Sequence, residues 1–320
     1  VHALPVAATL RARLPGARLT WIVERREAVV LAGHPALDAI VPVDTRGWRG
    51  ARSLSGLAET AGAVTAVARH LRSARFDVAL DLQGLLKSGA LAVLTRAPLR
   101  IGFTPRRCRE PLSAVFTNRR VDPGPAARHV VDQYLTLLEP LGVREAVMEF
   151  RLPSDPAAEA RADELFTAAG LKPRDRVVVV NPGAGRPDKQ WPVEAFAALA
   201  RRLADEAIAQ VLVVWGPGEE AAGRAIVEGA GGGRALLAPP TSVPDLIALL
   251  KRTSVLVAAD TGPLHLAAAL GTPCVGLFGP TRAGRNGPYG ARQRTLSGEG
   301  GRVAAIGVDA VARTVGELLA

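Results

Sequence analysis

The apolar positions of the chain alternate between short runs and helix-like repeats, a pattern typical of an α/β protein with parallel sheets. In the first half the pattern predicts strands at 18–23, 39–43 and 76–82 and helices near 57–72, 85–95 and 128–141. In the second half it predicts strands at 177–180, 211–214, 235–237, 255–258 and 274–278 and helices near 193–206, 218–228, 243–252 and 263–270. Two successive doubly wound, Rossmann-like units account for this order.

The segment 150–156 has the features of a linker between these units. It contains two prolines and ends where a helix is predicted to begin at Ala157. A chain of 320 residues also exceeds the size at which one hydrophobic core usually stops growing. We therefore expect an N-terminal domain over 1–152 and a C-terminal domain over 153–320.

The chain begins at Val1 and enters a predicted helix, Val1 to Leu14, without a preceding strand. A doubly wound domain normally begins with a strand whose carboxyl end leads into a ligand-binding loop. We therefore expect that a first strand and its loop precede Val1 and that the sequence is truncated.

Composition and charge narrow the range of partners. The chain is 48% hydrophobic, but no apolar run approaches the roughly 20 residues of a membrane-spanning helix. Its formal charge is +10, and since only four of its 40 basic residues are Lys, 36 are Arg. An Arg-rich genome explains this bias as well as an anionic partner does. No dense basic run with interleaved aromatics indicates nucleic acid.

The spacing of the cysteines and the charges near the N-terminus favour a reducing compartment. Cys108 and Cys274 lie far apart and outside any metal-ligand spacing, which favours a reducing environment over a disulfide or a structural zinc. Arg11 and Arg13 interrupt the apolar stretch at the start of the chain, so it does not resemble a signal peptide. We expect a cytoplasmic protein that binds neither metal nor nucleic acid.

The strongest local signal follows the strand at 255–258, where Asp260, Thr261 and Gly262 lead into a helix with a proline near its start. Backbone N–H groups and the positive end of a helix can hold a diphosphate there without a metal. Asp260 by itself is also a good helix cap, and His265 by itself is more often a packed structural histidine. The surrounding loop favours a phosphate site for both.

Two neighbouring loops add to this signal. Ala184, Gly185 and Lys189 follow the strand at 177–180, so the backbone can follow a phosphate while Lys189 supplies a positive charge. Taken alone, this segment is equally an ordinary strand-to-helix connection. After the next strand, Glu219 and Glu220 either accept hydrogen bonds from a ribose or only stabilise a helix N-terminus. Because all three loops fall on one edge of one predicted sheet, we expect a nucleotide site.

The first half contains a second candidate site. Gln83 and Lys87, and with them Ser88, lie where the strand at 76–82 ends and a helix begins, so we expect them to face a cleft between the domains. A basic cluster follows, made of Arg106, Arg107, Arg109, Arg119 and Arg120. Such a cluster is either a solvated face or an acceptor site for an anionic substrate. The addition of Lys87 from a different element favours the acceptor site.

These segments together resemble the ADP-heptose-dependent lipopolysaccharide heptosyltransferases. Asp260–His265 and the later Leu277–Thr281 are similar to the C-terminal signature of that family, and Lys189 lies in a similar Lys-x-Trp-Pro sequence. Asp81–Ser88 and Arg109–Phe116 resemble the type I form of the family more than the type II form. The resemblance extends over essentially the whole chain.

The resemblance implies a GT-B fold, in which two Rossmann-like domains face a central cleft and the last helix packs back onto the N-terminal domain. It implies an inverting glycosyltransferase that moves L-glycero-D-manno-heptose from ADP-heptose, held by the C-terminal domain. The acceptor would be Kdo of Kdo-lipid A, met by the N-terminal domain at the cytoplasmic face of the inner membrane. No metal and no other cofactor is implied.

By motif match, the donor site would contain Ala184, Gly185, Lys189, Glu219, Glu220, Asp260, Thr261, Gly262 and His265. Lys189 would stabilise the leaving diphosphate. The acceptor site would contain Gln83, Lys87 and Arg109.

The family's catalytic base is an Asp that follows the first strand, so we expect it upstream of Val1. Without that residue the chain would be an inactive nucleotide-sugar binder. A sugar-nucleotide epimerase and a heptosyltransferase of type II are further alternatives.

Overall fold

The chain folds into two compact units, His2–Glu149 and Phe150–Ala320, the second of which also includes Val1. This computed structural model describes residues 1–45, 47, 54–172 and 174–320. Within them every strand pair is parallel, which confirms the predicted α/β class. The units divide three residues before the predicted boundary, at the start of the predicted linker.

The N-terminal unit has two parallel sheets among its described residues. One pairs β1 (Thr20–Glu24) with β2 (Ala39–Val43), and the other joins β3 (Val78–Leu80), β4 (Leu99–Phe103) and β5 (Arg119–Val121) in that order. The helices are α1 (Leu4–Arg13), α2 (Leu54–Ser73), α3 (Leu86–Leu94) and α4 (Val130–Thr136). Short 3-10 turns cover Arg25–Leu31, Pro111–Phe116 and Glu139–Leu141.

The predicted helix over 128–141 is interrupted in the structure. It ends as α4 at Thr136 and resumes only as a 3-10 turn that contains Pro140. A proline ring clashes with the carbonyl group four residues earlier, which here belongs to Thr136. The position of Pro140 therefore explains where α4 stops.

The C-terminal unit is built on one six-stranded parallel sheet of order β11-β10-β9-β6-β7-β8. Its strands are β6 (Val177–Asn181), β7 (Gln210–Val213), β8 (Ala235–Leu237), β9 (Val255–Ala259), β10 (Cys274–Phe278) and β11 (Gln293–Ser297). Its helices are α5 (Pro156–Ala168), α6 (Val193–Asp205), α7 (Glu220–Ala230), α8 (Val243–Lys251), α9 (Gly262–Leu270), α10 (Ala283–Asn286) and α11 (Val308–Leu319). Its 3-10 turns are Pro187–Lys189, Glu299–Gly301 and Val303–Ala305.

This strand order has a switch point between β6 and β9. The chain runs outward from β6 through β7 to β8, then returns to the other side of β6 as β9 and continues outward to β11. That is the 3-2-1-4-5-6 order of doubly wound dinucleotide-binding sheets, whose ligands lie beyond the carboxyl ends of the strands at the switch point. Both central strands are fully buried, which fixes the positions of the loops that follow them.

The last helix, α11, packs within the C-terminal unit. It contacts α6, β9 and β10, and its Val311 and Val315 are fully buried in the core of that unit. Its expected packing on the N-terminal domain stays a prediction.

Two further observations concern the cysteines and the helices. Cys108 and Cys274 are both free, and burial raises the pKa of the Cys274 thiol. None of the described helices combines the length and the apolar character needed to cross a bilayer.

Trp191 fixes the loop that follows β6, and its indole offers a test of the fold. Trp191 is 2% exposed, and the centroid of its ring lies 4.8 Å from that of Phe196 in an edge-to-face contact. Its Nε1 donates a hydrogen bond to the carbonyl oxygen of Ile306 at 2.9 Å. Trp191→Phe keeps the aromatic contact but leaves that buried oxygen without its donor. We expect the free energy of unfolding of the C-terminal unit to fall by about 1–3 kcal/mol in urea titrations.

The neighbouring Gln190 is exposed, so Gln190→Ala serves as the matched control. An equal loss of stability in both variants would contradict the proposed anchoring role of the indole.

Candidate functional site

Asp260, the first residue after β9, joins the two loops at the switch point. Its Oδ2 lies 2.9 Å from Nζ of Lys189, which belongs to the turn after β6. Its Oδ1 lies 3.2 Å from Nε2 of His265, on the first turn of α9. The three side chains are only 10–18% exposed. The structure thus brings together three of the predicted donor-site residues.

The charge of Asp260 is set by these two partners. Burial of the carboxyl group raises its pKa, because a poorly hydrated site disfavours the charged form. Hydrogen bonds from His265 and Lys189, together with their positive charge, outweigh burial and hold the pKa well below its usual range. Asp260 is therefore ionised at neutral pH and keeps the Lys189 ammonium group in one position.

The N-terminus of α9 lies beside this pair and offers backbone donors. The hydroxyl of Thr261 donates to the carbonyl oxygen of Ala259 at 3.1 Å, and no side chain in the described part of the chain caps the helix. At Gly262 no described atom lies within 4 Å of the place that a Cβ would occupy. The start of α9 is thus uncovered, and its dipole favours an anion there.

The loop after β6 is fixed at both ends and open in the middle. Asn181, at its start, donates from Nδ2 to the carbonyl oxygen of Val214 at 3.2 Å, and Trp191 anchors its end. Gly185 has no described atom within 4 Å of the place of a Cβ, and Ala184 is partly exposed. The middle of the loop can therefore approach a ligand closely.

The structure distinguishes Glu219 from Glu220. Oε2 of Glu219 accepts a hydrogen bond from the backbone N–H of Gly216 at 2.8 Å, and its carboxylate lies against Gly183 of the neighbouring loop. A Cβ at Gly183 would lie only 2.2 Å from Oε2 of Glu219. Glu220 instead pairs with Arg224 at 2.5 Å on the exposed side of α7. Only Glu219 adjoins the loop that carries Lys189.

In the N-terminal unit, Lys87 is part of an ion pair that the sequence reasoning missed. Its Nζ lies 2.6 Å from Oε1 of Glu24, the last residue of β1, and 3.1 Å from the hydroxyl oxygen of Thr45. Burial raises the pKa of Glu24, but hydrogen bonds from Lys87 and Thr45 outweigh it and lower the pKa overall. The position of Glu24, directly after the predicted strand at 18–23, was the signal available in the sequence.

Gln83 and Arg109 lie on two loops that pack together. The buried carboxylate of Asp81 accepts hydrogen bonds from the backbone N–H groups of Gln83 and Gly84 at 3.0 and 3.1 Å. Gly84 has a φ of +61° and lies so close to the backbone of Cys108 that a Cβ would approach its Cα to 2.9 Å. The side chains of Gln83 and Arg109 are both exposed.

The five predicted arginines differ in their surroundings. Arg107 pairs with Asp122 at 3.0 Å, which neutralises part of its charge. Arg119 and Arg120 are neighbours on β5 and point to opposite faces of the sheet. Among the residues that the structure describes, Arg109 makes no ion pair, and its loop is joined to that of Gln83 by the hydrogen bond from the N–H of Glu110 to the carbonyl oxygen of Gly84 at 3.0 Å.

No three His, Cys, Asp or Glu side chains in the described ranges come together as ligands of a metal ion. That the site works without a metal stays a prediction.

Comparison with known proteins points to one family, the heptosyltransferases. The sequence model of glycosyltransferase family 9 (heptosyltransferase) matches residues 64–306. The chain is 30% identical to lipopolysaccharide heptosyltransferase 1 of Pseudomonas aeruginosa over 93% of this chain and 80% of that protein. It is 28% identical to the Escherichia coli K12 protein of the same name over 92% of this chain and 88% of that protein.

Among solved structures, "E. coli heptosyltransferase WaaC with ADP" is similar with a TM-score of 0.80 and 27% identity. The similarity covers 99% of this chain and 95% of that chain. The comparison supports the predicted GT-B type of α/β fold.

The low pKa of Asp260 predicts how stability depends on pH. A carboxyl group whose pKa is depressed by folding stabilises the folded state above the ordinary Asp pKa of about 3.9, and this contribution is lost as the pH falls through the folded-state value. Asp260→Asn should therefore be less stable than the unmodified chain at pH 7, and the difference should shrink below about pH 4. Urea unfolding at a series of pH values measures it.

Glu228→Gln, which alters an exposed carboxyl group on α7, is the matched control and should behave like the unmodified chain. A deficit for Asp260→Asn that stays constant down to the lowest pH would contradict the assignment.

Proposed function

Because the chain belongs to glycosyltransferase family 9, the heptosyltransferases, we propose that it transfers L-glycero-D-manno-heptose from ADP-heptose to Kdo of Kdo-lipid A. The observation that carries the proposal is the Lys189–Asp260 pair at the switch point of the C-terminal sheet. Two similar solved structures support the choice of donor, since one is of E. coli heptosyltransferase WaaC with ADP and the other of the same enzyme with ADP-2-deoxy-2-fluoro heptose. Such a step belongs to the assembly of the lipopolysaccharide inner core at the cytoplasmic face of the inner membrane.

Lys189 and the start of α9 would hold the diphosphate of the donor. As a bond forms between the acceptor oxygen and the anomeric carbon, the bond from that carbon to the phosphate oxygen breaks and negative charge develops on ADP. A fixed ammonium group and fixed backbone dipoles stabilise that charge without reorganising, which is an effective form of transition-state stabilisation. Asp260 would position Lys189, and His265 would orient Asp260.

Glu219 would bind the ribose of the donor. Its carboxylate stands at the carboxyl end of β7, next to the loop after β6, and retains acceptor capacity beyond its bond to Gly216. Carboxylates in equivalent positions of doubly wound sheets accept hydrogen bonds from ribose hydroxyls. The exposed pair of Glu220 with Arg224 favours a purely structural role for Glu220.

Gln83 and Arg109 would contact the acceptor directly. Both are exposed on loops that pack against each other, and a guanidinium group suits the carboxylate of an acidic sugar such as Kdo. Lys87 is already paired with Glu24, so it would hold the end of β1 in place. Its ammonium group would also attract the negatively charged acceptor. The proton of the attacking hydroxyl would pass to a carboxylate, the Asp that serves as general base in this family.

Three alternatives give different products. A type II enzyme would transfer heptose to an acceptor that already carries heptose, and an epimerase would change the donor in the absence of any acceptor. A nucleotide-sugar binder would retain ADP-heptose without turnover. Mass spectrometry of the products with Kdo-lipid A, with heptosyl-Kdo-lipid A and without acceptor separates these cases.

Removal of the Lys189 charge tests the leaving-group role. In the full-length protein, Lys189→Ala should lower kcat by about 100-fold or more, because loss of one fixed donor to a developing anion typically has that effect. Asp260→Ala should also lower kcat, since Lys189 then loses its fixed position. Initial rates of ADP release with both substrates measure the effect.

Lys172→Ala, which changes an exposed lysine of the same unit, is the matched control and should retain full activity. Undiminished turnover in both Lys189→Ala and Asp260→Ala would remove the donor-site assignment.

The two glutamates after β7 provide a paired test of the ribose contact. Glu219→Ala should raise the KM for ADP-heptose by about ten-fold with little change in kcat, because a hydrogen bond made equally in ground and transition states affects KM alone. Glu220→Ala should leave both constants unchanged. Equal effects of the two substitutions would contradict the assignment of Glu219.

A further inference from the structure

Four large apolar side chains of the N-terminal unit are exposed on two elements that pack together. Leu112 is 71% exposed and Val115 66% exposed on the turn Pro111–Phe116, while Leu86 is 43% exposed and Val93 42% exposed on α3. These four residues are called the apolar patch below.

The two elements of the apolar patch form one surface. Gly89 of α3 lies so close to Phe116 that a Cβ at residue 89 would approach its ring to 2.5 Å. Leu86 and Val93 are three residues before and four residues after Gly89, so they lie on the same stripe of α3. In the 3-10 turn, Leu112 and Val115 are three residues apart and therefore eclipse each other, while Ser113 and Ala114 between them are buried.

The exposure of these side chains is built into the fold. Arg100 donates from Nε to the carbonyl oxygen of Phe116 at 2.8 Å, and Arg120 donates from Nε to that of Ala114 at 3.0 Å. At the other end, Oε2 of Glu110 accepts from the backbone N–H of Leu86 at 2.6 Å, which joins the turn to α3. Hydrogen bonds at both ends thus hold Leu112 and Val115 outward.

The segment that carries the apolar patch has an excess of positive charge. Between Gly84 and Val121 the chain carries a single acidic residue, Glu110, which is engaged with α3. The same segment carries eight basic residues, of which Lys87 pairs with Glu24 and Arg107 with Asp122. Of the others, five are exposed and form no ion pair among the described residues: Arg96, Arg106, Arg109, Arg119 and Arg120. Exposed apolar side chains on a segment with exposed cations fit the interface of a bilayer that contains anionic lipids.

We propose that the apolar patch inserts among the headgroups of an anionic lipid bilayer, with exposed arginines of the same segment, such as Arg96 and Arg109, bound to lipid phosphates. The inference rests on the proposed function, since an acceptor anchored in a bilayer requires the enzyme to work at its surface. The predicted acceptor residues adjoin the patch, because Leu86 directly precedes Lys87 and Leu112 follows Arg109 by three residues. Insertion at this point brings the acceptor loops to the headgroup level.

Vesicle flotation tests the proposal. The protein is mixed with phosphatidylcholine vesicles that either contain or lack phosphatidylglycerol, and the bound fraction is measured at low and high salt. We expect binding to the anionic vesicles, weakened by salt, and an affinity at least about ten-fold lower in the double variant Leu112→Asp/Val115→Asp. Met148→Asp changes a side chain that is 40% exposed outside the patch and should bind as the unmodified protein does.

Several outcomes would overturn the inference. One is equal binding of the double variant and the unmodified protein, and another is equal binding to both kinds of vesicle. A dimer seen by sedimentation that the double variant loses would instead identify a second copy of the chain as the occupant. Thermal unfolding followed by circular dichroism verifies that the double variant is folded.

The acceptor used in the assay separates this inference from the proposed function. The double variant should lose turnover on Kdo-lipid A in anionic vesicles while it retains turnover on the deacylated, water-soluble acceptor. Loss on both acceptors by a folded double variant would contradict a membrane role for the patch. If the unmodified full-length protein binds anionic vesicles through the patch but transfers heptose to neither acceptor, only the proposed function fails.

Discussion

The proposed donor site depends on a buried carboxylate that fixes a lysine across the switch point of a parallel sheet. Asp260 and Lys189 follow β9 and β6, two fully buried strands that are adjacent in the sheet but separated by about 70 residues of chain. Because both strands are held by the core, the ammonium group is positioned before any ligand arrives. The reduced pKa of Asp260 and the uncovered start of α9 are the features on which the proposed diphosphate site rests.

The sequence predicted that Lys189, Asp260 and His265 lie together, because the signals for their positions are local and strong. Apolar runs mark both strands, Val-Val-Val-Val in β6 and Val-Leu-Val-Ala-Ala in β9. Parallel pairing then places Lys189 and Asp260, which follow these strands, on one edge of the sheet. It could not choose between Glu219 and Glu220, because adjacent residues at a helix start differ only in the direction of their side chains. That direction is set by tertiary contacts, here the close approach of Glu219 to Gly183.

The features that the sequence did not predict all depend on tertiary contacts rather than on local patterns. β5 and β11 are edge strands rich in Arg, Gln and Thr, so they lack the apolar run that marks a buried strand. The pair of Lys87 with Glu24 joins residues 63 positions apart, and periodicity carries no information about such contacts. The exposure of Leu112 and Val115 was equally hidden, since a short apolar segment reads as core until its neighbours are known.

The lysines have a practical consequence of their own. Three of the four are held in ion pairs, Lys87 with Glu24, Lys189 with Asp260 and Lys251 with Glu159. Lys172 is exposed, forms no ion pair within the described part of the chain and precedes β6, at the end of the sheet opposite the loops that carry Lys189 and Asp260. Amine-directed coupling chemistry should therefore favour one lysine, and attachment through it would immobilise the C-terminal unit in a single orientation with the carboxyl edge of its sheet open.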